Sequence, residues 1–165
     1  MKRIVLAFSI FILSSFTQTD NKFWIAGEEL IKTLRAQSPK FDGADLRDYS
    51  YQDLNFDGKY EIIEKQNKIE ESATGFLNVE LYPAFELHRI FTYSGGKFQK
   101  DYSKFQWYLE KRIVFYKFWK KQLQNPINLS SDSQELIKAN KAMFLKEIDR
   151  LINLNQSLID QSFKK

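Results

Sequence analysis

The 165-residue chain contains no cysteine and only one histidine. Together these absences exclude disulfides, Cys nucleophiles and zinc clusters of the Cys/His type, because such sites need several soft ligands at close spacing. Proline occurs three times and glycine six, so the chain is punctuated at few places, and it holds no repeat or low-complexity tract. A strong charge of one sign is also missing: 25 basic residues face 21 acidic ones. Setting Lys2 and Arg3 aside leaves 23 against 21, a balance of +2, which gives no global case for nucleic acid as a partner. Aromatics are abundant, with fifteen Phe, eight Tyr and three Trp making 16% of the chain. That much large apolar surface, in a chain of one-domain length, argues against disorder and for a packed core.

The first twenty residues, "MKRIVLAFSIFILSSFTQTD", have the layout of an export signal: Lys2 and Arg3, then a mostly apolar run from Ile4 to Phe16. That run is shorter than the roughly 20 residues a membrane-spanning helix needs. No Ala-x-Ala is present, and Ser15-Phe16-Thr17 places small residues at the two required positions, so cleavage is expected between Thr17 and Gln18. The alternative is an uncleaved anchor. The expectation is a signal peptide over 1–17, one α+β domain over 18–165, and a periplasmic or secreted protein.

Asp20 can cap a helix carrying Phe23, Trp24, Leu30, Ile31 and Leu34 at helical spacing, ended by Ser38-Pro39. "PKFDGADLRDYSYQ" reads as loop, with Pro39, Asp42-Gly43 and scattered Asp. "YEIIEKQNKI", "FLNVELYP" and "ELHRIFTY" are read as strands, the first also suiting a helix, and "SGGKF" as a Gly-Gly hairpin. Ser103 and Gln106 form a capping-box pattern, and no Gly, Pro or Asn interrupts Gln106 to Gln124, which predicts a helix. "SSDSQE" offers a second cap before a run of about 30 residues with helical periodicity, about 45 Å long, which Asn153 or Asn155 can break. The predicted fold is α+β: an N-terminal helix, an antiparallel sheet of three to four strands, and two C-terminal helices.

"DLNFDGKYEIIE", residues 53 to 64, is chemically the most explicit stretch. Counted from Asp53, oxygen-bearing side chains fall at positions 1, 3, 5, 9 and 12: Asp53, Asn55, Asp57, Glu61 and Glu64. Gly58 permits a sharp turn, and the Lys59 carbonyl suits position 7. Calcium takes six to eight oxygen ligands in such flexible loops, whereas magnesium prefers a rigid octahedral shell. The pattern predicts one structural calcium ion. The plainer reading is an Asp-rich turn in which Asn55 and Asp57 cap backbone N–H groups. The approach "FDGADLRDYSYQ" lacks helical spacing, so the likeness to an EF-hand extends to its loop only, and Glu64 ligates only if Tyr60 onward is not a strand.

This loop, running directly into strands, resembles the single calcium loop of exported bacterial propeller-repeat proteins. With the "FTYSGGKF" hairpin it is also similar to a family of small periplasmic calcium-loop proteins that includes inhibitors of c-type lysozyme. The resemblance covers residues 53 to 98. It implies ion ligation by Asp53, Asn55, Asp57, the Lys59 carbonyl and Glu61, and action by binding a partner protein.

The lone His88, in "ELHRIF", has no accompanying nucleophile elbow and reads as a structural strand residue. In Glu28-Glu29 and Glu70-Glu71 neighbouring side chains point apart, so solvated charge is the plainer reading, and no enzyme is expected. Residues 42 to 71 hold nine acids and four bases; residues 97 to 121 hold eight bases and two acids, interleaved with aromatics. The expected function is therefore that of an exported, non-enzymatic, calcium-stabilised binding protein, with lysozyme inhibition the specific version. The alternative is an envelope protein that binds lipid or cell-wall polymer through the basic aromatic helix, with the plainer reading that this helix packs in the core while its Lys side chains snorkel.

Overall fold

The computed structural model describes residues 21–71 and 80–162. The proposed signal and cleavage site, and residues 76–79 of "FLNVELYP", lie outside them. Helix α1 occupies 21–36. It is followed by a two-residue hairpin, β1 (Lys40–Phe41) and β2 (Ala44–Asp45), and by β3 (Arg47–Gln52) and β4 (Glu61–Asn67). A short 3-10 turn over Tyr82–Phe85 leads into β5 (Glu86–Ser94) and β6 (Lys97–Lys100), then α2 (Gln106–Gln124) and α3 (Ser131–Ser162). The architecture is α+β, as the sequence leads one to expect, with the main sheet antiparallel in the order β3-β4-β5-β6.

Several local expectations are corrected. The stretch read as loop over 39–52 contains a hairpin and a full strand. Asp42 and Gly43 both take positive φ, as a tight two-residue turn requires. Arg47–Gln52 then pairs with β4 along its whole length. Its period-two signal is carried by Tyr49 and Tyr51 rather than by aliphatic residues. The end of "FLNVELYP" is a 3-10 turn with Pro83 in its first turn, where a fixed φ and a missing N–H cost nothing. Ser103 does not cap α2: its N–H and hydroxyl both donate to the Asp101 carboxylate, and Phe105 occupies the cap position without a side-chain bond. Ser130 does cap α3, its Oγ accepting the Ser133 N–H at 3.3 Å. The irregular residue in α3 is Asn140 (φ −127°), whose amide donates to the Leu136 carbonyl and competes with the helix ladder. Asn155 makes the same i−4 bond, to Leu151, inside regular helix.

The sheet's two faces follow from strand alternation. One carries the cross-strand row Tyr51–Ile62–Phe91 and the pair Tyr93–Phe98, and α1 covers it with Phe23, Ile31 and Leu34. The other places Ile63 and Ile90 against Leu54 and Phe105 at the start of α2. A larger core forms where α2 and α3 pack on the 3-10 turn, with Tyr116, Leu123, Phe144, Ile148 and Phe85 all fully buried. The Tyr116 hydroxyl donates to the Glu86 carbonyl at 2.5 Å, joining this core to the sheet.

Helix α1 meets the sheet at one glycine. A Cβ at Gly27 would lie 2.1 Å from the Tyr51 hydroxyl and 3.0 Å from its ring. Replacing Gly27 with Ala must displace the ring or lift the helix, an overpacking cost of about 1–3 kcal/mol. The expected result is a melting temperature lower by about 2–12 °C, with far-UV dichroism unchanged; an unaltered melting curve would show that α1 is not seated on Tyr51.

Candidate functional site: the 53–61 loop and its cleft

The loop between β3 and β4 is closed by its own backbone. Asp53 accepts the Asp57 N–H at 3.1 Å and the Gly58 N–H at 2.9 Å, one on each carboxylate oxygen. Asp57 accepts the Lys59 N–H at 2.9 Å and the Asn55 amide at 3.1 Å; these two bonds, in that order, hold its carboxyl below the ordinary value. Gly58 sits at φ +80°, and Phe56 is also left-handed at φ +58°, a conformation a bulky side chain rarely takes. The curl thrusts the Phe56 ring into solvent, where it is 91% exposed.

Glu61 opens β4 and is 5% exposed. One of its oxygens accepts the Leu54 N–H at 3.1 Å. Burial raises its carboxyl above the ordinary value; the Leu54 N–H opposes this, and the charges of Asp57 and Asp53 add to the rise. No cationic side chain pairs with it among the described residues. A buried carboxylate near two others is electrostatically costly; Lys59 and Lys104 act on Asp57 from the same cleft, and a cation among Asp53, Asp57 and Glu61 would relieve the cost further. Among the described residues no three His, Cys, Asp or Glu side chains gather as a metal-holding group. The carboxylates of Asp53, Asp57 and Glu61 instead accept backbone N–H groups of the loop.

Glu64, the remaining ligand expected from the sequence, is not brought to the loop. Three residues along β4 from Glu61, it points to the opposite face of the sheet. There it is fully buried between two guanidinium groups, Arg47 at 3.3 Å from one oxygen and Arg89 against the other. Burial, then the Glu64 charge, pushes the Tyr49 hydroxyl up to about 12. The chain is a strand from Glu61 onward, which carries Glu64 away from the loop, so the EF-hand arrangement of ligands does not form.

A cleft of about 530 Å³ lies beside the loop, lined by Phe23 and Trp24 of α1, Asn55 to Glu61 with the exception of Phe56, Thr92 and Tyr93 of β5, and Asp101 and Lys104. Trp24 stacks edge-on to Tyr51 at 4.8 Å and lies 6.2 Å from Tyr60. Both Trp24 and Tyr60 remain 44% exposed. Sequence reasoning assigned Trp24 to the buried stripe of its helix and missed this wall. The signal was the triple "FWI", since three consecutive apolar residues cannot all lie on one helical face. A more open hollow of about 480 Å³ at the α2–α3 corner is lined by Pro126, Lys138 and Lys141 among others.

Four of the nine acids in residues 42 to 71, Asp45, Asp48, Glu64 and Glu71, are held in ion pairs. Arg35 and Lys40 reach Asp45, Lys65 reaches Asp48, and Arg47 and Lys68 hold Glu71. His88 is buried, with Nδ1 2.6 Å from the Tyr108 hydroxyl and Nε2 3.3 Å from the Glu86 carboxylate. Burial lowers its pKa, so the neutral ring fits, accepting from Tyr108 and donating to Glu86. Among the described residues no helix is long and apolar enough to cross a membrane. Comparison with protein-family models, curated proteins and solved structures returns no match for the chain.

The placement of Glu64 has a direct consequence. Glu64→Gln leaves two half-buried arginines facing a neutral amide, with Arg47 still held by Glu71, and losing the hydrogen bonds of a charged group costs about 1.5–3 kcal/mol. Melting should fall by about 3–12 °C equally in calcium and in chelator; a loss confined to calcium-containing buffer would return Glu64 to the ligand set.

Proposed function

We propose that the protein is an exported, non-enzymatic binding protein in which one calcium ion, held by Asp53, Asn55, Asp57, the Lys59 carbonyl and Glu61, stiffens a loop that presents Phe56 and walls the adjoining cleft to a partner protein. The observation that carries this reading is the conformation of the loop itself. A large aromatic is placed at the tip in a left-handed conformation and almost wholly exposed, on a loop whose cleft is walled by the half-exposed rings of Trp24 and Tyr60. Strained, exposed aromatics of this sort gain their worth when a partner buries them, and aromatic anchors dominate binding energies. Because a bound calcium ion would largely offset the charges of Asp53, Asp57 and Glu61, recognition rests on these rings more than on long-range charge. A c-type lysozyme is the first partner to test, on the resemblance of residues 53–98.

Calcium should stabilise the fold by about 2.7 kcal/mol at one hundred times its Kd, a melting shift of about 5–10 °C between calcium and chelator for a chain of this size. Asp57→Ala should remove most of that shift without unfolding the core. In chelator the raised Glu61 carboxyl adds its own slope to the pH dependence of stability. The native state holds this proton more tightly than the unfolded chain, so its contribution is fully present below the unfolded pKa and is lost as pH rises through the folded one. Calcium should abolish that slope. A melting temperature indifferent to chelator would remove the ion from the account and leave an Asp-rich turn.

For the partner, titration of a c-type lysozyme by calorimetry and by activity assay should show binding in calcium, at least tenfold weaker with Phe56→Ala, and weaker again in chelator. Absence of binding by the unaltered protein would eliminate the inhibitor version; full binding by Phe56→Ala would eliminate the loop tip as the anchor.

A further inference from the structure

We propose that the outward face of α2 is a docking surface for an anionic lipid bilayer, separate from the loop and its cleft. The helix has two apolar faces. Leu109, Ile113, Tyr116 and Leu123 face the interior. On the opposite side Trp107, Val114 and Phe118 are 38%, 67% and 52% exposed. Spaced by seven and four residues, these three lie within about 40° of one line along the helix and span about 16 Å. Lysines flank that line on both sides, Lys111 on one and Lys117 and Lys121 on the other. All three are exposed, and no ion pair engages them among the described residues. The Lys111 ammonium rests over the Trp107 ring at 4.8 Å. The one acid on this face, Glu110, accepts from the Gln106 amide. The other two cations of the helix are spent inward, Arg112 on the Glu86 carbonyl at 2.7 Å and Lys120 on Asp149 at 2.6 Å.

Charge complementarity identifies the occupant as anionic, since the exposed face carries Lys111, Lys117 and Lys121 against the single acid Glu110. The apolar line decides between anionic partners. A dissolved polyanion would neutralise the lysines and leave Trp107, Val114 and Phe118 in water. A bilayer meets both needs, with headgroup charge for the lysines and an acyl boundary for the rings, as amphipathic interfacial helices use it. Plain core packing with snorkelling lysines does not account for three large apolar side chains directed away from the core.

The test is co-sedimentation of the full chain with vesicles of phosphatidylcholine alone or with one-third phosphatidylglycerol. Unaltered and variant chains carry the same first twenty residues, so their contribution cancels. Binding should be stronger to the anionic vesicles and should weaken with salt. Replacing Lys111, Lys117 and Lys121 together by Gln should lower the anionic partition coefficient about a hundredfold, whereas the triple Arg variant should retain it. Trp107→Ala with Phe118→Ala should lower binding at high salt as well, where charge is screened. All these side chains are exposed, so melting temperatures should match the parent and report folding for each variant. Equal sedimentation with neutral and anionic vesicles, or a triple Gln variant that binds like the parent, would overturn the proposal. Unchanged vesicle binding after removal of Trp107 and Phe118 would also overturn it, pointing to a face for soluble polyanions instead.

Discussion

Glu64 lies midway along β4, and its carboxylate is fully buried between arginines from the strands on either side, Arg47 of β3 and Arg89 of β5. Three antiparallel strands are thereby referred to one point. A slip of one residue in β4 would turn Glu64 to the other face, against Ile90 and Phe105, and bring Ile63 among the arginines. Neither arrangement is affordable inside a protein, because an unpaired buried charge is far more costly than a lost apolar contact. The charged cluster is therefore best understood as a register device whose net stabilisation is small. Everything downstream depends on that register: the row Tyr51–Ile62–Phe91 that receives α1, the row Ile63–Ile90 that receives the start of α2, and the position of Glu61 at the mouth of the loop.

The helices and the β5–β6 hairpin were legible in the sequence because their signals are local. Gln106 to Gln124 carries no breaker, and Gly95 and Gly96 supply the two positive φ values that a tight hairpin needs. Strand β3 was not legible, since Arg, Asp, Ser and Gln dominate it and its inward residues are tyrosines. Its strand character comes from pairing with β4, which no local pattern reveals. The cap of α2 was misread because Asp101 outcompetes the helix for the Ser103 N–H and hydroxyl. Of the candidate site, the turn-forming residues could be found from spacing alone. Glu64 could not be sorted from Glu61 without knowing that β4 is a strand, and the aromatic wall from Phe23 and Trp24 comes from a segment thirty residues upstream of the loop.

Helix α2 shows how composition can hide two roles. Its mixture of rings and lysines suits a core helix and a surface helix equally well, and the fold divides the residues between them. Tyr116, Arg112 and Lys120 serve the interior by reaching Glu86 and Asp149, while Trp107, Lys111 and Phe118 are left outside. The division is set by the neighbours, since α3 and the 3-10 turn cover one side of the helix only.

The contact between Gly27 and Tyr51 bears on timing. A side chain fits against a bare backbone there as a pin fits a slot, so α1 cannot slide along the sheet, and Phe23 and Trp24 are carried to a fixed position at the cleft. The cleft is thus asymmetric, with one wall set by packing and the other by a loop held by the side chains of Asp53, Asp57 and Glu61. Were a partner to bind as proposed, it would meet the packed wall ready-made, and the loop wall would be the one whose order depends on the loop's own bonds. Encounter rates would then be nearly indifferent to whatever stiffens the loop, and the lifetime of the complex would respond to it, since preorganised surface governs capture and late-forming contacts govern escape.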